Sequence, residues 1–409
     1  MPVTETAARS VAVRTGTVYF ILFAISAVHM LNDTMQAVVS ALFPIFEESM
    51  GLSYAQVGWI AFTLNMTSSV MQPVVGLVSD KRPAPWMLPF GMALSMIGLA
   101  GLAFAPSFWL LLLSVVLIGL GSAIFHPEGS RVVYFAAGGR RGLAQSIYQV
   151  GGNFGQSLAP LMTIFIFVPL GQRGAAWGML LAAAAIVVLL KVVPWYSGQL
   201  AAHGAPAKRR KPAGAEQLHA ARKERRVVMF ALMLLLVLVF CRSWYAAGMG
   251  NFYQFYVRDT YGLTISAAQL PLFLFMAAGV AGTFLGGILA DRFGRKNMML
   301  FSIAGAAPFA ILLPHLPLAW VYPASFVLGF ILQSGFSVSV VYAQELMPGK
   351  VGMASGLITG LAFGLGALGA VVLGNAADAF GLANVMLYTS FLPLIGLLSF
   401  LLPPDRRDA

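Results

Sequence analysis

Charge is scarce in this chain: Asp, Glu, Lys and Arg make up 10% of its 409 residues, against roughly a quarter in a soluble domain. So little charge excludes a water-soluble globule of this length, and lipid must cover much of the exterior. Cysteine is scarcer still. Cys241 stands alone inside an apolar run, so no disulfide framework is possible and the redox compartment is left open. The alternating ten-residue segments of a closed membrane barrel are also missing. What is abundant is hydrophobic sequence, 59% of the chain, gathered into long continuous runs. The formal charge of +11 raises nucleic acid as a partner, but the placement of the basic residues argues against it. They sit in short loops between apolar runs, where anionic headgroups are the nearest neighbours.

A membrane-spanning helix needs about 20 mostly apolar residues. Twelve runs of that kind are present, at about 17–42, 55–79, 86–105, 108–134, 143–169 and 175–196, and again at about 227–256, 266–290, 297–315, 318–343, 351–376 and 384–402. The first is too long for a signal core and is read as an uncleaved helix. Pro83-Ala84-Pro85, Ala105-Pro106-Ser107, Gly138-Gly139 and Pro314-His315-Leu316-Pro317 punctuate the runs. The fold class expected is therefore all-α, with residues 1–196 and 227–409 as six-helix bundles and 197–226 as a basic linker. Its charge runs, Lys208–Lys211 and Arg222–Arg226, read as a solvated connector, and Ala215–Arg226 as a short helix lying on headgroups. Apart from Arg173, Arg258 and Arg242, the 25 Lys and Arg fall on one side or at helix ends on that side. Basic loops stay inside, so a multi-pass inner-membrane protein with both termini cytoplasmic is expected.

The halves repeat. Gly76-Leu77-Val78-Ser79-Asp80-Lys81-Arg82 is echoed by Gly287-Ile288-Leu289-Ala290-Asp291-Arg292-Phe293-Gly294-Arg295-Lys296, with Asp80 and Asp291 separated by 211 residues. The same offset carries Gly51-Leu52-Ser53 onto Gly262-Leu263-Thr264. Two similar membrane halves are the usual build of a secondary transporter, whose site lies where they meet.

A charge at the centre of a membrane helix costs about 2.5–3.5 kcal/mol, so each ionisable group inside a span needs a reason. In the first run His29 and Asp33 stand at i and i+4, and Gln36 continues their stripe. A carboxylate beside an imidazole suits uptake and release of a proton; helix–helix glue is the plainer reading. A metal site would need a further ligand, and none lies nearby in sequence. His126, in Phe125-His126-Pro127-Glu128, is a second proton-handling candidate, while Glu128 and Arg131 at i and i+3 suit a neutralising pair. Arg242 falls opposite Leu31 by the offset, within a turn of Asp33. It either holds an anionic substrate through paired hydrogen bonds or acts as a fixed counter-ion to Asp33. Tyr245, Gln149 and Asn153 complete the expected substrate-binding set. Glycines at 282 and 286, and at 356, 360 and 364, suit helices that touch closely and slide.

The duplicated Gly-x-x-x-Asp loop, with Arg292 and Gly294-Arg295-Lys296 completing it after the eighth span, resembles the signature of the major facilitator superfamily. That resemblance implies a conformational latch of Asp80, Asp291, Arg292, Arg295 and Glu345. Asp80 would meet the start of the eleventh span, Asp291 the start of the fifth, and Arg295 would pair with Glu345. The first loop departs from the pattern at Pro83-Ala84-Pro85, which weakens its share of the latch. Within that superfamily, His29-x-x-x-Asp33, Gln72-Pro73-Val74-Val75-Gly76, Gly142-Leu143-Ala144-Gln145-Ser146-Ile147-Tyr148-Gln149-Val150-Gly151-Gly152-Asn153-Phe154-Gly155 and Tyr342-Ala343-Gln344-Glu345-Leu346 are similar to bacterial drug efflux antiporters. The resemblance implies proton-coupled export of a small drug such as a phosphonate antibiotic by a monomer, with protons and lipids as partners, no cofactor and no enzymatic activity. The wider antiporter class carries an arginine in the fourth helix where Val115 stands, which shifts proton handling to Asp33, His29 and His126. A proton symporter importing a small organic acid would share these features.

Overall fold

A computed structural model of the chain describes residues 16–81, 84–138, 140–203, 218–347 and 351–403. Among the described residues every regular element is helical. That is what hydrocarbon demands, since each backbone N–H and C=O must be satisfied within its own segment.

The first half contains α1 (Tyr19–Met50), α2 (Tyr54–Lys81), α3 (Met87–Phe104), α4 (Phe108–Ala136), α5 (Arg141–Ser157) and α6 (Trp177–His203). The second contains α7 (Leu218–Tyr261), α8 (Ile265–Phe293), α9 (Arg295–His315), α10 (Leu318–Leu346), α11 (Val351–Phe380) and α12 (Leu382–Leu401). Short helical segments carry α5 on through Leu170. Each of the twelve apolar runs coincides with one of these passes.

The linker differs from its expected form at both ends. Helix α6 runs on to His203, and the turn from Leu218 is continuous with α7 rather than a separate helix on the headgroups. At 44 residues, α7 is about 66 Å long, against a hydrocarbon core of about 30 Å, so its first turns project beyond the bilayer. The basic run Lys208–Lys211 lies outside the described residues.

Pseudo-symmetry is visible in the backbone. Gly51 and Gly262 close α1 and α7 with φ of 65° and 62°, the left-handed conformation that glycine adopts without a Cβ clash. Several pairs of helices pack on small residues. On α8, Cβ atoms at Gly282 and Gly286 would lie 2.2 and 2.0 Å from the carbonyls of Phe330 and Ser334 on α10. On α5, Cβ atoms at Gly151 and Gly155 would lie 2.6 and 2.3 Å from the carbonyls of Ser26 and Met30 on α1. Between the halves, a Cβ at Gly58 of α2 would lie 2.4 Å from the carbonyl of Ala370, and one at Gly374 of α11 would lie 2.4 Å from that of Tyr54. Gly360 and Gly364, expected in a close seam, instead meet nothing within 4 Å.

Candidate functional site

Helical periodicity puts His29, Asp33 and Gln36 on one stripe of α1, and all three meet other polar groups. Asp33 is 4% exposed and its carboxylate is the hub. Oδ1 accepts from Asn32 Nδ2 at 3.0 Å and from Gln36 Nε2 at 3.2 Å. Oδ2 accepts from Gln156 Nε2 of α5 at 3.0 Å. Three amide donors offset much of the cost of burying an anion.

Two imidazoles complete the cluster. His29 Nδ1 lies 2.7 Å from the Tyr148 carbonyl, and His126 Nδ1 lies 3.0 Å from the Ser122 carbonyl. A carbonyl can only accept, so His29 donates from Nδ1, while His126 Nδ1 also lies 3.2 Å from Ser122 Oγ; both rings turn Nε2 toward Asp33. The Nε2 atoms stand 3.5 Å (His29) and 3.6 Å (His126) from Asp33 Oδ1. Each of the three groups is of a type that can hold a proton. His29 is clamped by stacking on Tyr148, 4.0 Å between centroids, and meets His126 edge-on at 5.1 Å.

The third group that no nearby sequence supplied to the His29–Asp33 pair is therefore His126, brought in by α4. One ligand atom from each of the three lies within 4.8 Å of the others, a spacing that a metal ion would also tolerate. An ion would, however, have to compete for carboxylate oxygens already engaged by three amides. A proton needs no such displacement.

Access differs within the cluster: the His126 side chain is 26% exposed, against 2% for His29. Gly152 makes this packing possible, since a Cβ there would lie 2.5 Å from His29 Cε1 and 2.8 Å from Asp33 Oδ2. Gln156 was not among the residues singled out by sequence. The signal for Gln156 was there, one turn from Gly152 on the same face of α5.

Arg242 contrasts with this. It is buried in α7, its Nε and Nη1 have no hydrogen-bond partner, and its guanidinium lies 4.7 Å from the Phe336 ring. No ion pair joins it to Asp33 among the described residues, so the counter-ion reading is not realised here. Gln149 and Asn153 bond to each other at 3.5 Å, both partly accessible. Tyr245 is buried with Met249 and Tyr253 in the apolar core, and its hydroxyl makes no hydrogen bond among the described residues.

Glu128 is fully buried, pairs with Arg131 at 3.1 Å and accepts from Tyr196 of α6 at 2.7 Å. Arg131 also donates to the Ser79 carbonyl at 3.2 Å, which ties α4 to the end of α2. In the loop region, Arg295 and Glu345 form an ion pair. Asp291 is exposed and makes no hydrogen bond or ion pair with the described residues; Arg292 lies over the Phe293 ring. The expected Asp291 contact with the start of α5 is thus not formed. The Asp80 side chain and the first side chains of α11 lie outside the described residues.

With the fold and these groups placed, comparison with known proteins is decisive. The Major Facilitator Superfamily profile matches residues 22–371. The chain belongs to the major facilitator superfamily. It is 54% identical to the MFS-type transporter YfnC of Bacillus subtilis over 96% of this chain and 94% of that one. It is 45% identical to the fosmidomycin resistance protein of Escherichia coli over 99% of this chain and 98% of that one. In fold it is similar to a bacterial homologue of the human lysosomal transporter Spinster in its inward-facing, occupied conformation, with a TM-score of 0.74 at 17% identity, covering 94% and 96% of the two chains. This superfamily member is a multi-pass membrane transporter.

Proposed function

We propose that this transporter exports small anionic drugs, fosmidomycin-like phosphonates among them, in exchange for protons across the cell inner membrane, with both termini in the cytoplasm. The observation that carries the proposal is the Asp33 carboxylate facing the Nε2 atoms of His29 and His126. It is a group of acceptors arranged around a place for one proton. His126, the exposed member, passes the proton between water and Asp33, and His29 shares it in the interior.

The unpartnered Arg242 supplies the anion site. A phosphonate would accept paired hydrogen bonds from the guanidinium, which Phe336 supports from below. Gln36, Gln149 and Asn153 offer neutral hydrogen bonds from the facing half. Protonation of Asp33 releases the amide donors that its charge held and so changes what the cavity presents to substrate. On the face that bears the signature loops, the Arg295–Glu345 pair braces α9 against α10 within the second half.

One proton entering down 100 mV releases about 2.3 kcal/mol, enough to support roughly a 50-fold substrate gradient. The test is a resistance screen in an efflux-deficient host, fosmidomycin included, followed by transport in proteoliposomes. Substrate-induced proton movement opposite to substrate supports exchange. Movement in the same direction would identify a symporter importing an organic acid, and large unsaturable currents would identify a channel.

A further inference from the structure

On the face opposite the signature loops, the two halves are joined by charged groups that the preceding reading does not use. Glu47 lies four residues before Gly51 at the end of α1, and Arg258 four residues before Gly262 at the end of α7. They are equivalent positions of the repeat, 211 apart, carrying opposite charges. They meet: Arg258 Nη2 donates to Glu47 Oε1 at 2.9 Å, and Nη1 donates to Oε2. A pair made from equivalent positions straddles the pseudo-twofold axis, so any tilt that parts the halves at this end stretches it.

Around this pair the network widens. Arg258 Nε also donates to Asp259 Oδ1 at 2.8 Å, and Asp259 Oδ2 accepts from the Tyr54 hydroxyl of α2 at 3.1 Å. From α11, Asp378 crosses to the start of α2. Its Oδ1 accepts from the Tyr54 amide at 3.0 Å and its Oδ2 from the Ala55 amide at 2.9 Å. Free amides and the helix dipole favour an anion there. Helix α2 already has its own cap: Gln56 N donates to Ser53 Oγ at 3.3 Å, and Ser53 N to Gln56 Oε1 at 3.0 Å, a reciprocal box. The equivalent helix α8 manages with Thr264 Oγ1 accepting from Ala267 N. Asp378 therefore adds little that α2 needs for its own start; what it adds is a bond between halves.

We propose that Glu47, Arg258 and Asp378 form a two-point latch that holds this face shut and must release for it to open. The proposal needs the superfamily fold and its alternating access, and not the proton chemistry. Gly250 provides a reporter. It lies one turn from Gln254, which reaches the Ser40 carbonyl of the first half, and a Cβ at Gly250 would meet nothing within 4 Å. Gly250→Cys is placed in a Cys241→Ser background and labelled with an impermeant maleimide, from intact cells and from inside-out vesicles.

Arg258→Gln removes a bidentate charged bond, and labelling from the latched face should rise about tenfold. Asp378→Asn should raise it less, and the exchange Glu47→Arg/Arg258→Glu should return it toward the parent. Unchanged labelling in the Arg258→Gln/Asp378→Asn double variant, with labelling from the other face intact, overturns the latch. So does failure of the charge exchange to restore a closed face while Glu47→Gln still opens it. Labelling requires neither substrate nor a proton gradient, so its outcome stands apart from any failure of the exchange reading.

Discussion

The two halves treat their buried charges in opposite ways. Asp33 in α1 accepts from three amides and faces two imidazoles, whereas Arg242 in α7 leaves Nε and Nη1 without partners. A satisfied carboxylate can exist as an anion without substrate and exchange a proton at modest cost. A bare buried guanidinium is costly until an anion arrives. On the function proposed above, the contrast is a division of labour: one bundle would keep the coupling proton and the other would take the cargo.

Five substitutions at four positions test that division, the most severe first. Asp33→Asn cannot take or give up a proton, so a gradient of up to about 50-fold should collapse completely. Exchange of labelled for unlabelled substrate in proteoliposomes should continue. A surviving gradient would remove coupling from the first half.

Arg242→Ala should raise KM for an anionic substrate about tenfold or more, since hydrogen bonds to charged groups contribute about 1.5–3 kcal/mol. A neutral substrate should change little. Arg242→Lys should recover only part, because an ammonium lacks the planar fork. Equal losses for neutral and anionic substrates would mean that Arg242 supports the fold instead.

Gly152→Ala would press a methyl group against His29 and Asp33, an overpacking that costs about 1–3 kcal/mol. Proton-driven transport should fall several-fold before exchange does, with a lowered Tm in thermal unfolding. If both activities fall together, the cluster is not separable from the substrate site.

Gln156→Ala, the mildest, removes one of the three amide donors to the Asp33 carboxylate. Proton-driven transport should fall about twofold with substrate–substrate exchange little changed. Unchanged proton-driven transport in proteoliposomes would mean that this bond plays no part in coupling.

Much of this was legible in the residues because it is periodic. Continuous apolar runs of bilayer length gave the twelve helices, and the 3.6-residue turn aligned His29, Asp33 and Gln36. Duplication of the Asp80 and Asp291 loops announced two halves, and the pair Glu128–Arg131 followed from spacing alone. The offset that linked those loops also linked Glu47 to Arg258, yet Arg258 read only as an exception among the basic residues. A single charge at a helix end carries no periodicity, and its partner lies in the other bundle.

Sequence by itself determined helical passes, their doubling and the costly groups inside them, because hydrophobic length and helical period act locally along a chain. Only the tertiary structure decided that His126 and Gln156 converge on Asp33, that Arg242 stands apart from it, and that Asp378 reaches the start of α2. Those partners are joined by packing between helices, and side-chain geometry across a bundle leaves no regular mark on the order of residues.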